Sequence, residues 1–267
     1  MTAIKKAYWI LHTQLGIDPR TMLRSLRGVF RYIPDLFKFM YKYTGPLEIM
    51  PCLNDWYEEG GDTKSEYFWQ DLLVARKIFE ANPATHVDIG SRVDGFVSHL
   101  ASFREVEVFD IRPIDVKIPG IKFKQADLMN RLQEQHEYCD SLSCLHALEH
   151  FGLGRYGDPI DPDGFERGLA NMSYLLRNGG RFYLSVPIGV ERVVFNANRV
   201  FDPRTIVRIA NEQGLVLRSL TVIQEGGNFT EIVPDDQPTL AEWATQRYAL
   251  RSEERRVGKE CGLLCRS

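Results

Sequence analysis

At 267 residues, with 44% apolar and 26% charged side chains, the chain has room for one sizeable α/β core plus an appendage, and hardly for two full domains. A formal net charge of −3 argues against a dedicated nucleic-acid binder, which carries a strong basic excess. No run of about 18 or more apolar residues occurs, so no segment is built to cross a bilayer, and the opening Met1–Gly16 lacks the apolar length and small-residue cleavage site of a secretory leader.

Residues 1–64 read as a helical, aromatic extension. Thr21–Tyr43 mixes Leu23, Leu26, Phe30, Leu36, Phe37 and Met40 with Arg20, Arg24, Arg27, Arg31, Lys38 and Lys42, a basic amphipathic pattern with an expected end or kink at Pro34. Two readings fit: an element that docks on a membrane surface or a partner, or a helical layer whose basic face is simply solvated. The second is favoured because such faces are common. Gly45-Pro46 and Gly60-Gly61 then break the chain, and Ser65–Ala81 predicts a capped helix with Phe68, Leu72, Ala75 and Phe79 on one face.

From Thr85 the pattern changes to short apolar runs at 85–90, 106–110, 121–127, 139–145 and 181–187, separated by helix-compatible stretches near 94–102, 129–136 and 163–177. Such alternation predicts an α/β domain over residues 65–250 with a parallel sheet covered on both faces. After a helix over Pro203–Gln213, runs at 215–223 and 228–233 flank Gln224-Glu225-Gly226-Gly227, which predicts an antiparallel hairpin. Arg251–Cys261 reads as a translated sequencing-library adapter, so 251–267 is set aside as a non-native tail. Of the remaining cysteines, Cys52, Cys139 and Cys144 lack paired spacing, which points to a reducing, cytoplasmic setting and to no zinc cage.

In an open parallel sheet ligands bind beyond the carboxyl ends of the strands. Acids mark those ends here: Asp88 in the first run, Asp110 closing the second, Asp127 after the third. Gly90 lets backbone pass close to a ligand, an acid closing the second strand suits a ribose diol, and Asp127 suits an adenine amino group. Each acid alone is more often a helix cap or a turn residue; three in succession are harder to assign that way. A nicotinamide dinucleotide wants G-x-G-x-x-G after the first strand, whereas the loop is Gly90-Ser91-Arg92-Val93-Asp94-Gly95, with Arg92 at the middle glycine and Asp94 where a pyrophosphate would be repelled. A phosphate-free cofactor such as S-adenosylmethionine tolerates such acids.

VDIGSRVDGF, VEVFD, QADL, DSLSCLHALEH and LLRNGGRFYLSVP resemble the successive motifs of class I S-adenosylmethionine-dependent methyltransferases. HALEHFGLGRYGDPIDPDG and SVPIG…FNANRVF further resemble a methyltransferase-like family known only as domain of unknown function 268, over about residues 50–250. The resemblance implies a Rossmann-like sheet of seven strands, the last antiparallel. It also implies S-adenosylmethionine contacts at Asp88, Ile89, Gly90, Ser91, Asp110, Ile111, Asp127, Leu128, Cys144 and Leu145. Arg92 departs from the glycine of the family's loop.

His146-Ala147-Leu148-Glu149-His150 also matches the zinc pattern H-x-x-E-H, but it begins at a strand exit rather than on one helix face, and no metal is expected. A loop clamp and a catalytic role for His146, Glu149 and His150 stand about even; a histidine base suits proton removal near neutral pH. The Gly-, Pro- and Asp-rich stretch 151–165 carries Arg155, Tyr156 and Asp158, and the segment after the fifth run carries Asn196, Asn198 and Arg199. Amides, acids and arginines at one mouth suggest a small polar or saccharide acceptor, and no nucleic acid, although the same residues also serve as turn chemistry. The expected function is methyl transfer to oxygen or nitrogen of such an acceptor. The alternative is a cofactor-binding or partner-docking protein of the same fold without turnover.

Overall fold

The computed structural model describes residues 8, 16–57, 60–61, 63, 65–223, 229–232 and 237–245, with the backbone of 259–266. The Met1–Gly16 leader reading (beyond Tyr8 and Gly16), the Gln224–Gly227 connection and the adapter-like 251–258 lie outside them. Two compact units result, one within residues 1–63 and one spanning 64–250 with 255–267. Among the described residues no helix is long and apolar enough to cross a membrane.

The first unit is built on α1 (Pro19–Lys42). Asp18 caps it, accepting from Arg20 N at 2.9 Å, and Pro19 sits where its missing N–H costs nothing. Of the end or kink expected at Pro34, the end does not occur: the helix runs through it. One proline removes a single ladder bond, and the turns on either side keep theirs. Residues 43–57 return along one side of α1: Ser25 Oγ donates to Asn54 Oδ1 at 3.1 Å, a Cβ on Gly28 would collide with Leu53, and Arg31 stacks on Trp56 at 4.0 Å.

The second unit opens with α2 (Glu66–Ala81), capped by Ser65. The strands follow: β1 (His86–Ile89), β2 (Val106–Asp110), β3 (Ile121–Gln125), β4 (Cys139–Leu145), β5 (Leu176–Val186), β6 (Arg192–Val194), β7 (Asn198–Val200), β8 (Leu215–Ile223), β9 (Phe229–Ile232) and β10 (Lys259–Arg266). Between them lie α3 (Ser98–Ala101), α4 (Gly164–Leu175), α5 (Pro203–Glu212) and α6 (Gln237–Ala244). The main sheet runs β3-β2-β1-β4-β5-β10-β8-β9, its first five strands parallel, so the expected α/β class and the parallel sheet hold. The stretch near 129–136 yields only a short turn at Gln133–Gln135 instead of a helix.

Alternation along β5 shows how the layers form. Phe182, Leu184 and Val186 face a core shared with Leu169 and Met172 of α4 and Ile206 and Ile209 of α5, whereas Tyr183 faces Val74 and Ile78 of α2 and Leu100 of α3. Each such side chain contributes about 1.5–3 kcal/mol by leaving water. On α2 the predicted apolar face holds at Ala75 alone: Phe68, Leu72 and Phe79 are exposed, and Gln70, Val74 and Ile78 are buried beside Ala75. Gln70 turns inward because it finds a buried partner on β5, described below.

The expected hairpin is present, Leu220–Ile223 pairing antiparallel with Phe229–Ile232. It forms one edge of the sheet, with β9 outermost. β10, inside the segment set aside as non-native, pairs antiparallel with both β5 and β8, so the sheet has eight strands instead of seven and the last strand in the chain lies inside it, between β5 and the hairpin. Strand pairing needs only backbone N–H and C=O groups and an open edge on each side, which composition cannot reveal.

Candidate active site at the carboxyl ends of the strands

β1 ends in a buried polar knot. Asp88 is fully buried and accepts from Ser91 N at 3.1 Å, Ser91 Oγ at 2.7 Å and Ser143 Oγ at 2.6 Å. Ser91 Oγ also accepts from Leu145 N at 3.1 Å, which ties the loop after β1 to the end of β4. On the other side of Ser143, His86 lies between two hydroxyls, 2.8 Å from Ser141 Oγ and 3.1 Å from Ser143 Oγ. Burial pushes the Asp88 carboxyl up to about 7, against the lowering effect of its serine donors. Burial, with help from Arg104, pushes His86 down to about 3.

Gly90 follows with φ +68°, its N–H donating to Phe109 O at 2.9 Å. A Cβ there would sit 2.9 Å from the Ala147 Cβ, so glycine is required on two counts. Ile89, Leu128, Cys144 and Leu145 are buried wall, and burial raises the Cys144 thiol well above its ordinary range. Arg92 binds Asp94 through two bonds of 3.0 and 2.6 Å, both residues exposed. The Asp94 charge is therefore matched, and its expected repulsion of a pyrophosphate is weakened. A different carboxylate stands close to the loop: a Cβ on Gly95 would lie 2.9 Å from Asp71 Oδ2 of α2.

Asp110 closes β2 nearly buried, beside Ile111. It is engaged by its own neighbour, accepting from Arg112 N at 2.8 Å, Nε at 3.0 Å and Nη2 at 2.6 Å. Arg112 in turn covers Tyr156 at 4.5 Å, with Arg155 against the same ring at 5.2 Å. Asp127 accepts from Met129 N and Asn130 Nδ2, both at 2.9 Å, a turn-capping geometry after β3.

The motif at the exit of β4 is a single turn at Leu148–His150 preceded by His146, whose φ of +55° is rare for a side chain of its size. Glu149 Oε1 lies 3.1 Å from His146 Nδ1, with both side chains buried. His146 Nε2 is 3.3 Å from Ser185 Oγ on β5, Ser185 donates to Gln70 Oε1, and the Tyr67 ring meets the imidazole edge-on at 4.7 Å. An imidazole, a carboxylate on one of its nitrogens and a hydroxyl near the other are thus assembled from three elements. The sequence reading missed Tyr67, Gln70, Asp71 and Ser185; the polar positions 66, 67, 70 and 71 at helical spacing were the signal that could have found them.

The remaining candidate residues separate by role. His150 Nδ1 and Arg155 Nη1 share Ala197 O at 2.7 and 2.8 Å, and burial lowers the His150 pKa. Asp158 caps its own turn, accepting from Gly154 N at 3.0 Å and Tyr156 N at 3.1 Å. Asn196 forms the turn between β6 and β7 with φ +61°. Asn198 and Arg199 are buried; Asn198 donates to Arg199 O at 2.9 Å, while Arg199 donates to Phe151 O and, at 2.9 Å, to Pro162 O, pinning the 151–162 loop. Burial lowers the guanidinium's pKa, against the raising effect of the Asp158 and Asp163 carboxylates.

The family model described as Caenorhabditis protein of unknown function, DUF268, matches residues 116–211. No curated protein sequence matches the chain. Among solved structures, the 4+2 cyclase SpnF superposes with a TM-score of 0.50 at 11% identity, over 73% of this chain and 81% of its own. A Burkholderia thailandensis 1,6-didemethyltoxoflavin-N1-methyltransferase, holding S-adenosylhomocysteine, gives 0.49 at 14% identity over 94% and 91%. A TehB-like S-adenosylmethionine-dependent methyltransferase from Corynebacterium glutamicum gives 0.46 at 16% over 78% and 90%. The fold is the Rossmann-like class I methyltransferase fold, and the expected resemblance to the domain 268 family is found over residues 116–211, a shorter stretch than the 50–250 expected.

Proposed function

We propose that residues 65–250 bind S-adenosylmethionine and transfer its methyl group to an oxygen or nitrogen of a small polar or saccharide acceptor. The observation that carries this is Asp110: a nearly buried carboxylate at the end of β2 whose two oxygens face donors in the paired manner of a ribose diol. The surroundings fit the cofactor. Gly90 keeps the loop backbone low, Asp127 stands after β3 for the adenine amino group, and Asp71 beside Gly95 suits a cationic amine and disfavours a phosphate. When bound, S-adenosylmethionine supplies an electrophilic methyl on a sulfonium; the chain's part is to align the acceptor and take its proton.

His146 is the residue for that proton. Ser185 has one hydroxyl proton, and while it goes to Gln70, Ser185 can only accept from His146 Nε2; His146 then holds protons on both ring nitrogens, between Glu149 and Ser185. Turning the Ser185 hydroxyl toward His146 leaves Nε2 as an acceptor. His150, by contrast, uses Nδ1 on Ala197 O and serves to hold the β6–β7 turn.

A second reading, a cofactor-binding or partner-docking protein without turnover, rests on Arg92, which stands in the loop after β1 where the family has a glycine. The fold does not choose between them, since the same architecture is named a cyclase in SpnF. Calorimetry with S-adenosylmethionine tests what the two readings share, and release of S-adenosylhomocysteine on a sugar and metabolite panel separates them. Asp110→Ala is expected to weaken binding at least tenfold, about 1.4 kcal/mol. Unchanged affinity in a folded variant removes Asp110 from the site, and no binding to the intact chain at millimolar cofactor overturns both readings.

A further inference from the structure

We infer that α1 is an interfacial helix that lays its apolar face on an anionic phospholipid surface. At 24 residues it is about 36 Å long. At helical spacing Met22, Leu23, Leu26, Phe30, Phe37 and Tyr41 fall in one apolar arc of roughly 100°. All six are exposed, Phe30 by 81% and Tyr41 by 90%. The layer reading of this segment requires that arc to be covered. Instead, the return of residues 43–57 contacts the opposite side, through Ser25, Gly28 and Arg31.

Charge identifies the occupant. Arg20, Arg24, Arg27, Arg31, Lys38 and Lys42 fall in a narrow stripe flanking the apolar arc. The helix has one acid, Asp35, which lies 3.7 Å from Lys38. A cationic stripe beside a wide arc of aromatic and long aliphatic side chains is the pattern of a helix lying in the plane of a headgroup layer, its arginine and lysine stems reaching the lipid phosphates. In a symmetric pairing of α1 with α1 of a second copy each stripe would meet the same stripe, with Asp35 as the one acid on the helix.

The experiment is co-sedimentation of the full chain with vesicles of phosphatidylcholine alone or mixed with phosphatidylglycerol. Binding is expected only to the mixed vesicles and is expected to weaken as salt is raised. Leu26→Glu with Phe30→Glu should abolish it with the circular dichroism spectrum unchanged, because both sites are exposed. Reversing Arg24, Arg27 and Arg31 to glutamate should lower the partition coefficient more than about tenfold. Equal binding to neutral vesicles, no binding to either, or a dimer that the Leu26→Glu, Phe30→Glu variant dissociates would overturn the inference.

Discussion

Replacing His86 by glutamine is expected to give a protein whose stability, relative to the parent, falls steadily as pH rises from about 4 to 6.5. His86 is held near 3 in the fold against 6.5 ordinarily, so below about 6.5 the unfolded chain takes a proton that the fold refuses, and stability drops as pH falls. Asp88 has the opposite sign: its folded value is about 7 against 3.8, so the fold keeps a proton that the unfolded chain has released, and stability drops as pH rises. Between about 3.8 and 6.5 the two slopes cancel. Neither group is a cause of the other's shift, so removing one leaves the other in force.

His86→Gln should therefore lose, relative to the parent, about 1.4 kcal/mol per pH unit, roughly 3 kcal/mol across the window. Asp88→Asn should show the reverse, gaining stability as pH rises from about 3 to 6.5. Urea midpoints at about pH 4.5 and 6.5 check both. Parallel profiles for the two variants would show that the knot does not titrate as a compensated pair.

The second large effect concerns turnover. His146→Gln is expected to lower kcat by about 10²–10⁴ with cofactor affinity unchanged, the range for loss of a general base. Glu149→Gln should fall toward the same level, because it removes the carboxylate that fixes the ring at 3.1 Å. The measurement is release of S-adenosylhomocysteine with whichever acceptor of a sugar and metabolite panel turns over. Activity within about threefold of the parent in the His146 variant would remove it from proton transfer.

The strands were legible because strands buried on both faces leave short apolar runs: 106–110 and 139–145 coincide with β2 and β4. The acids at their ends were legible for the same reason, since a strand's last residue fixes where its side chain stands. What a polar side chain does there was not. Arg199, read as lining a pocket mouth, lies under loop 151–162 because its donors meet carbonyls brought close only by the fold. Gln70 defeats the helical pattern likewise: an amide counts as surface until a serine from β5, 115 positions along the chain, meets it.

Arg112 gives the cofactor site a property beyond its contacts. A guanidinium two residues from the carboxylate it binds is always present at high effective concentration, so any ligand of Asp110 meets a competitor that never diffuses away. Apparent affinity is then the intrinsic affinity multiplied by the fraction of molecules in which the pair is open. A pair open about one-tenth of the time weakens binding tenfold. Arg112→Met is thus expected to bind S-adenosylmethionine more tightly than the parent and with a faster on-rate, read by stopped-flow fluorescence; slower or weaker binding would make Arg112 a ligand of the cofactor instead of its rival.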